Sequence, residues 1–364
     1  MLERRSIHNL DWLLAFAVLS LCAVGLGMVY SATLGGPLLA PLSTKQLIYF
    51  AVGLAALALV LAIDYHTLAS LSYLFYVASL VLLVYLLFFG RAIANTRGWL
   101  ELGPVNFQPA EITKITTLLA LSSYLTRHRS ATLTPSNMVA ILTIVGLPVI
   151  LIARQPDLGT ALTFLPLIGV AAFLGGIRVR TILLLVMIPI LALPVLWSHY
   201  LEDYQKTRVL TFLDPARDPK GAGYQVIQSR IAVGSGGLTG KGFLEGTQGQ
   251  LKFLPAQHTD FIFALLAEER GFLGSLIVLS LYFVVIYRCI AIARAARDLL
   301  GVYLAMGMMA LFACQVLINI GVVLGLMPTT GVPLPLMSYG GSSLITTLLG
   351  MGLVLNVWMR RLVN

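Results

Sequence analysis

Apolar runs of about 17 to 23 residues recur along the chain, and each is long enough to cross a bilayer as a helix. Of the 364 residues, 58% are hydrophobic and only 11% are charged, whereas a soluble domain carries roughly 25% charged residues. The strands of a membrane barrel would instead be alternating segments of about 10 residues. The sequence therefore predicts an all-α polytopic membrane protein, with one integral membrane domain over residues 1–364.

The spacing of the apolar runs predicts about ten transmembrane helices. They are expected at 10–31, 46–63, 68–90, 108–126, 137–153, 159–176, 181–198, 271–290, 300–326 and 338–359. The first run is long enough to span, so we interpret it as a transmembrane helix and not as a cleaved signal. An even number of spans places both termini on the same side of the membrane.

Basic residues give the expected orientation, because short cytoplasmic loops are enriched in lysine and arginine. One orientation puts eleven arginines inside: Arg4, Arg5, Arg127, Arg129, Arg178, Arg180, Arg288, Arg294, Arg297, Arg360 and Arg361. It leaves four basic residues in the short outer loops: Lys45, Arg91, Arg97 and Arg154. We therefore expect cytoplasmic termini and a long extracytoplasmic loop over 199–270.

The net charge of +9 and the cysteines exclude other classes of protein. The basic residues do not cluster with aromatic residues on one segment, so no nucleic-acid partner is predicted. Cys22, Cys289 and Cys314 are far apart and lie in or beside apolar runs. Such a set predicts neither a disulfide framework nor a metal site.

The long loop is expected to contain short amphipathic or re-entrant helices. Residues 224–232 have the pattern of an amphipathic helix lying on the membrane. The glycine-rich stretch 234–242 is either a flexible turn, which the residues favour, or a backbone cradle for phosphate. It is not a Walker motif, because Ser235 replaces the first glycine and Gly242 follows the lysine where serine or threonine belongs.

Apolar sequence resumes after this loop in a run that is too short to span. We expect residues 259–268 to form a short helix that begins at Asp260 and dips into the outer leaflet. The disfavoured alternative is one long helix over 261–290, because it would bury the three charges at 268–270.

Ionisable residues beside the apolar runs mark candidate functional positions, since charges next to hydrocarbon are costly. His258 and Asp260 stand where the long loop returns to the membrane. One interpretation gives them a functional role. The other makes Thr259 or Asp260 the cap of a helix.

Two further groups lie at the outer ends of predicted helices. Glu111 and Lys114 are three residues apart on one helix face. They form either a self-neutralising structural pair or part of a polar cavity, and we favour the cavity because a buried pair adds little stability. Asp157 is either the cap of the next helix, which its spacing favours, or a third carboxylate of that cavity.

Prolines, glycines and hydroxyl residues follow the ninth predicted span. The stretch from Asn319 to Ser343 contains Pro328, Pro333, Pro335 and a Ser-Tyr-Gly-Gly-Ser-Ser run that starts at 338. Such residues break helices and allow close approach of neighbouring segments. A packing hinge is the simpler interpretation of this stretch.

Taken together, six stretches resemble the SEDS family (shape, elongation, division and sporulation), and within it the RodA type. They are Phe107-Gln108-Pro109-Ala110-Glu111, Gln155-Pro156-Asp157-Leu158-Gly159-Thr160, Gly221-Ala222-Gly223-Tyr224-Gln225, residues 234–242, His258-Thr259-Asp260-Phe261-Ile262-Phe263, and residues 333–343. The resemblance covers nearly the whole chain. Ala110 and Ala256 depart from the usual serine and glutamate, and neither position carries a charge in our argument.

The resemblance implies a peptidoglycan glycosyltransferase that polymerises lipid II for cell elongation and shape. It places the enzyme in the bacterial cytoplasmic (inner) membrane, acting at the outer face. The implied partners are a class B penicillin-binding protein with transpeptidase activity and other elongation-complex membrane proteins, in contact with membrane lipids.

The same resemblance implies an inverting reaction with Asp260 as the general base. It promotes Asp157 from a helix cap to a member of the cavity with Glu111 and Lys114. Positive charge must also meet the leaving pyrophosphate, with His258 and Thr259 beside the substrate. The candidates stay open: Lys114, Arg208, Lys241, Arg97, or a divalent cation such as Mg²⁺ or Mn²⁺.

Two other functions compete with this one. A lipid II flippase would also need several spans and a polar path, although we see no internal repeat and the charges gather in the outer half. A non-catalytic scaffold for a penicillin-binding protein would tolerate removal of the Asp260 charge.

Overall fold

The computed structural model describes residues 9–33, 40–93, 96–102, 105–128, 134–176, 203–218, 221–251 and 253–362. The fold is an all-helical bundle with one small sheet. The elements are α1 (Trp12–Thr33), α2 (Ala40–Ala62), α3 (Tyr65–Ser70), α4 (Ser72–Phe89), β1 (Arg91–Ile93), β2 (Thr96–Leu102), β3 (Val105–Phe107), α5 (Pro109–Arg127), α6 (Pro135–Ala153), α7 (Leu158–Leu162), α8 (Leu165–Leu174), α9 (Asp203–Leu213), α10 (Ala222–Ser235), α11 (Thr247–Gln250), α12 (Ile262–Ala295), α13 (Leu299–Val323) and α14 (Gly341–Arg360).

Seven helices in the described part of the chain are long and apolar enough to cross a membrane: α1, α2, α4, α6, α12, α13 and α14. The predicted helical, polytopic class is therefore confirmed. The span expected at 181–198 lies outside the described residues. The span expected at 159–176 is divided into the short helices α7 and α8, which are separated by Thr163 and Phe164.

Helix α5 was expected to span, but it is too polar to count among the apolar helices. Most of its side chains are nevertheless buried, including Thr113, Thr117, Ser122 and Ser123. Helices α4, α6, α13 and α14 pack around it. Because protein surrounds it on several sides, α5 can carry polar side chains at the centre of the bundle without exposing them to hydrocarbon.

The loop 91–107, which was expected on the outer side, contains strands that the all-α expectation missed. Strand β2 pairs antiparallel with both β1 and β3, with Arg91 opposite Trp99 and Leu100 opposite Phe107. The last strand leads almost directly into Pro109 at the start of α5. The sheet therefore fixes the entry of the chain into the central helix.

Helix α10 corresponds to the predicted amphipathic helix, but it does not simply lie on the membrane. Val226, Ser229 and Ala232 are buried, and the Ser229 hydroxyl donates to the Val323 carbonyl at 2.8 Å. Ile227 and Ile231 stay exposed on another face. The small residues on the buried face let α10 approach α12 and α13 closely.

Helix α12 is two helices joined at Gly271, whose φ of 64° and ψ of −162° are not helical. The short first part corresponds to the predicted re-entrant helix, although it begins at Ile262 and not at Asp260. Glu268 and Glu269 are fully buried in it. The prediction that a separate short helix would keep these charges out of the core was therefore wrong.

The glycine-rich stretch satisfies the backbone groups that this break leaves without helical partners. The N–H groups of Lys241 and Gly242 donate to the carbonyls of Glu268 and Glu269 at 3.0 and 3.1 Å. In return, the carbonyls of residues 237 and 238 accept from the N–H groups of residues 272 and 273 at 2.9 and 3.1 Å. The stretch therefore acts as a docked structural turn.

Glycine is required here because the two backbones nearly touch. Gly240 has a φ of 81°, and a Cβ on it would lie 2.2 Å from the Glu269 carbonyl oxygen. By contrast, a Cβ on Gly234, in the last turn of α10, would meet nothing within 4 Å.

We predict that Gly240→Ala destabilises the protein by about 1–3 kcal/mol, because it combines strained backbone with a backbone clash. The thermal unfolding midpoint in detergent should fall. Gly234→Ala is the matched control and should leave the midpoint unchanged or slightly higher, since alanine favours the helix. Equal midpoints for the two variants would show that the docking is dispensable.

Candidate active site

The segment that carries Asp260 is a tight turn, residues 256–261, immediately before α12. Three successive N–H groups, those of Thr259, Asp260 and Phe261, point to the Ala256 carbonyl oxygen at 3.1–3.2 Å. Phe261 is the N-cap of α12, and no side chain caps this end. The interpretation of Thr259 or Asp260 as a helix cap is therefore wrong.

The carbonyls of this turn are also held, each by a different residue. The Tyr339 N–H donates to His258 at 2.8 Å, and the Ser338 hydroxyl donates to Thr259 at 2.5 Å. The Asn319 side-chain amide donates to Asp260 at 2.9 Å. Residues from the stretch 319–339 thus fix the backbone of the turn at three consecutive positions.

The Asp260 side chain is only partly exposed. Burial raises the pKa of its carboxyl to about 6, while a hydrogen bond with Thr259 and the charge of Arg208 act in the opposite direction. Gly331 lies beside it: a Cβ on Gly331 would be 3.9 Å from Asp260 Oδ2. The result is a carboxylate with the basicity suited to proton transfer near neutral pH.

His258 and Tyr339 form the aromatic side of the turn. Their rings meet edge to face with centroids 5.8 Å apart, and Tyr339 also faces Tyr49 at 6.4 Å. Burial lowers the pKa of His258, which favours the neutral imidazole. It can hydrogen-bond to a sugar or phosphate but does not add a second cation to the site.

A second cluster contains the other predicted acidic residues. Lys114 Nζ is 2.8 Å from Glu111 Oε1, and both side chains are almost completely buried. Asp157 caps α7 by accepting from the Thr160 N–H at 3.0 Å, as its spacing predicted. Its other oxygen accepts from the Gln108 side-chain amide at 3.0 Å, and burial raises its pKa, followed by smaller effects that include repulsion from Glu111.

The peptide between Thr330 and Gly331 joins the two clusters. Gly159, two residues after Asp157, presses so closely on this peptide that a Cβ would lie 2.1 Å from the Thr330 carbonyl oxygen. Gly331 then faces Asp260. Part of the stretch that was interpreted as a packing hinge therefore lies between the Asp260 carboxyl and the Asp157 end of the second cluster.

The predicted cations are divided between different places. Arg208 donates to the Thr329 carbonyl at 3.3 Å, next to the peptide between Thr330 and Gly331. Lys241 contacts Glu268 at 2.6 Å and Thr247 at 2.8 Å in the docked glycine turn. The side chain of Arg97 is not among those that the structure describes. Among the described residues, no group of three His, Cys, Asp or Glu side chains could hold a metal ion.

Gln46 was not named from the sequence, and Asn319 and Ser342 entered only as members of longer stretches. Gln46 donates to the Ser338 carbonyl at 3.1 Å and accepts from the Gly340 N–H at 3.3 Å. The Ser342 hydroxyl accepts from the Gln108 N–H at 2.9 Å. Gln46, Asn319 and Ser342 are buried polar residues in or beside apolar helices, and that location was the available signal.

Fold and site define a multi-spanning membrane protein with a carboxylate held in a rigid turn at one end of the bundle. The FtsW/RodA/SpoVE family of cell cycle proteins matches residues 11–362. The chain belongs to this family, also called the SEDS family, and it is a peptidoglycan glycosyltransferase.

Named relatives agree with this assignment. The chain is 45% identical over 287 residues to the peptidoglycan glycosyltransferase MrdB of Escherichia coli K12, covering 79% of this chain and 77% of MrdB. It is similar to a chain solved in a peptidoglycan synthase complex that coordinates polymerization and crosslinking (38% identity, TM-score 0.83, 98% of this chain and 99% of that one). It is also similar to the rod shape determining protein RodA of Thermus thermophilus (33% identity, TM-score 0.73, 98% of each chain).

We predict that Lys114→Met lowers stability by about 3–5 kcal/mol, because it leaves the Glu111 carboxylate buried without its cation. The double variant Glu111→Leu/Lys114→Met should recover most of this loss, since no unpaired charge remains. Thermal unfolding in detergent measures both effects. The exposed pair Arg217–Asp214 is the control, and Asp214→Ala should change stability by less than about 1 kcal/mol.

Proposed function

We propose that this enzyme polymerises lipid II into glycan strands at the outer face of the bacterial inner membrane, with Asp260 as the general base. The observation that carries the proposal is the partly buried Asp260 carboxyl, with a pKa of about 6, on a turn whose backbone is fixed on both sides. Such a group is largely deprotonated at pH 7 and is more basic than an ordinary carboxylate.

The reaction is a displacement at the anomeric carbon of the donor. The 4-hydroxyl oxygen of the acceptor sugar forms the new bond, and the bond from the anomeric carbon to the pyrophosphate oxygen breaks. Asp260 takes the hydroxyl proton, and the pyrophosphate leaves with the bonding electron pair. Inversion by direct displacement needs one base and no carboxylate nucleophile, unlike a retaining glycosidase.

Arg208 is the cation best placed to stabilise the leaving pyrophosphate. It is close enough to Asp260 to influence its pKa, and its side chain is exposed at the site. Lys114 is buried against Glu111, so we assign it the role of maintaining the polarity of the adjoining cavity. Lys241 is held by Glu268 in the glycine turn, so we assign it a structural role.

The orientation and the partner belong to the same proposal. Lipid II cannot leave the bilayer, so the site must be open to one leaflet. The distribution of arginines predicts that the loop 199–270, and with it the turn 256–261, lies on the outer side. A class B penicillin-binding protein would crosslink the strands that this enzyme makes. The similarity to a chain from a peptidoglycan synthase complex supports such a partnership.

We predict that Asp260→Asn abolishes polymerisation, with a loss of about 10²-fold or more expected for removal of a general base. Purified protein with a partner lacking glycan-strand activity is supplied with labelled lipid II, and strand length is read by gel. Thermal unfolding shows that the variant is folded. Full activity of Asp260→Asn would reject the base assignment, and lipid II crossing of liposomes without polymer would favour a flippase.

The pH dependence of the polymerisation rate should follow the titration of the Asp260 carboxyl. Polymerisation should be half-maximal near pH 6 and fall about tenfold per pH unit below it, because the base must be deprotonated. The free energy of unfolding should change with pH in the opposite direction to the polymerisation rate. The raised pKa favours the folded state below the ordinary carboxyl pKa of about 4, and this contribution is lost as the pH rises through 6.

Asp260→Asn should therefore raise the unfolding midpoint at pH 7.5 and leave it nearly unchanged at pH 4. The exposed Asp214→Asn serves as the control, with little change expected at pH 7.5. A lower midpoint of Asp260→Asn at pH 7.5 would contradict burial as the cause of the raised pKa.

A further inference from the structure

Asn319 is a buried polar residue in the last part of α13 that the catalytic scheme does not use. Its side-chain amide donates to two carbonyls, those of Asp260 and Val332, both at 2.9 Å. Asp260 belongs to the turn 256–261, and Val332 belongs to the segment that follows Gly331 and faces this turn. One amide group therefore joins the backbone of the base to the segment facing it.

Ser338 makes a second link of the same kind. Its hydroxyl donates to the Thr259 carbonyl at 2.5 Å and accepts from the Leu334 N–H at 2.9 Å. Its own carbonyl is held by Gln46. Both Ser338 and Asn319 are almost completely buried, so water cannot replace these hydrogen bonds without opening the structure.

We propose that Asn319 and Ser338 are positioning residues that hold the Asp260 carboxylate at the distance and angle needed for proton transfer. This inference rests on the proposed role of Asp260. Neither residue need touch the substrate: their hydrogen bonds fix the peptide groups on both sides of the Asp260 Cα. A misplacement of about 1 Å can lower a rate about 10²-fold.

The chain provides a matched control at the opposite end of the bundle. Asn356 is fully buried, and its amide also donates to two carbonyls, those of Val60 and Ile63, at 2.5 and 2.6 Å. Replacing either asparagine by leucine removes both hydrogen bonds that its side-chain amide donates to backbone carbonyls. Asn356→Leu also removes the acceptor of the Arg360 guanidinium at 2.9 Å, so the control loses at least as many hydrogen bonds as Asn319→Leu. Of these two asparagines, only Asn319 is hydrogen-bonded to the turn 256–261 that carries Asp260.

The test compares Asn319→Leu with Asn356→Leu in lipid II polymerisation, normalised to folded protein. Asn319→Leu should lower kcat by about 10²-fold with little change in KM, whereas Asn356→Leu should stay within about twofold of wild type. The acidic limb of the pH profile should also move to lower pH in Asn319→Leu, because a displaced carboxylate gains water. A purely structural role would reduce the folded fraction and leave this limb in place.

Ser338 gives a second comparison that does not depend on the asparagines. Ser338→Ala should lower kcat, and Ser338→Thr, which keeps the hydroxyl, should restore most of it. If Asp260→Asn is inactive but Asn319→Leu matches Asn356→Leu in kcat and pH profile, the positioning role is wrong. If Asp260→Asn is active, the proposed base itself is wrong.

Discussion

A backbone that leaves its helix inside an apolar bundle must find other partners for its N–H and C=O groups, because water is not available there. This requirement explains two irregular segments of the described structure. The break at Gly271 is satisfied by the glycine turn, and the turn 256–261 is satisfied by residues of the stretch 319–339. Both segments are therefore held in place by hydrogen bonds, although they are themselves neither regular helix nor strand.

The buried carboxylates of the bundle differ in how many hydrogen-bond donors and cations surround them. Glu268 is surrounded by donors, namely the Lys241 ammonium and the N–H groups of Gln248 and Gly249, and Glu111 has Lys114. Fewer donors and positive charges surround the Asp260 carboxyl, and burial is the largest cause of its raised pKa. In the proposed function the less compensated Asp260 carboxylate carries the chemistry, whereas Glu111 and Glu268 maintain structure.

Much of this arrangement was predictable from the sequence, and the remainder has a physical cause. Run length and charge identified the helical bundle, and Asp260, Glu111, Lys114 and Asp157 stood out because ionisable residues are rare there. The role of the glycine stretch did not follow, since docking on Gly271 is a contact between distant segments. The burial of Glu268 was likewise missed, because its donors come from residues 241–249.

The hydrogen bonds around Asp260 also order events during biosynthesis. A polytopic chain enters the membrane from its N-terminus, so the turn 256–261 is made well before Ser338 and Tyr339 emerge. Until then the carbonyls of residues 258 and 259 lack these two donors. The turn therefore gains its full set of hydrogen bonds only when the segment that precedes α14 has been made. A chain truncated before residue 338 would lack both donors, so its turn 256–261 would be held on this side by Asn319 alone.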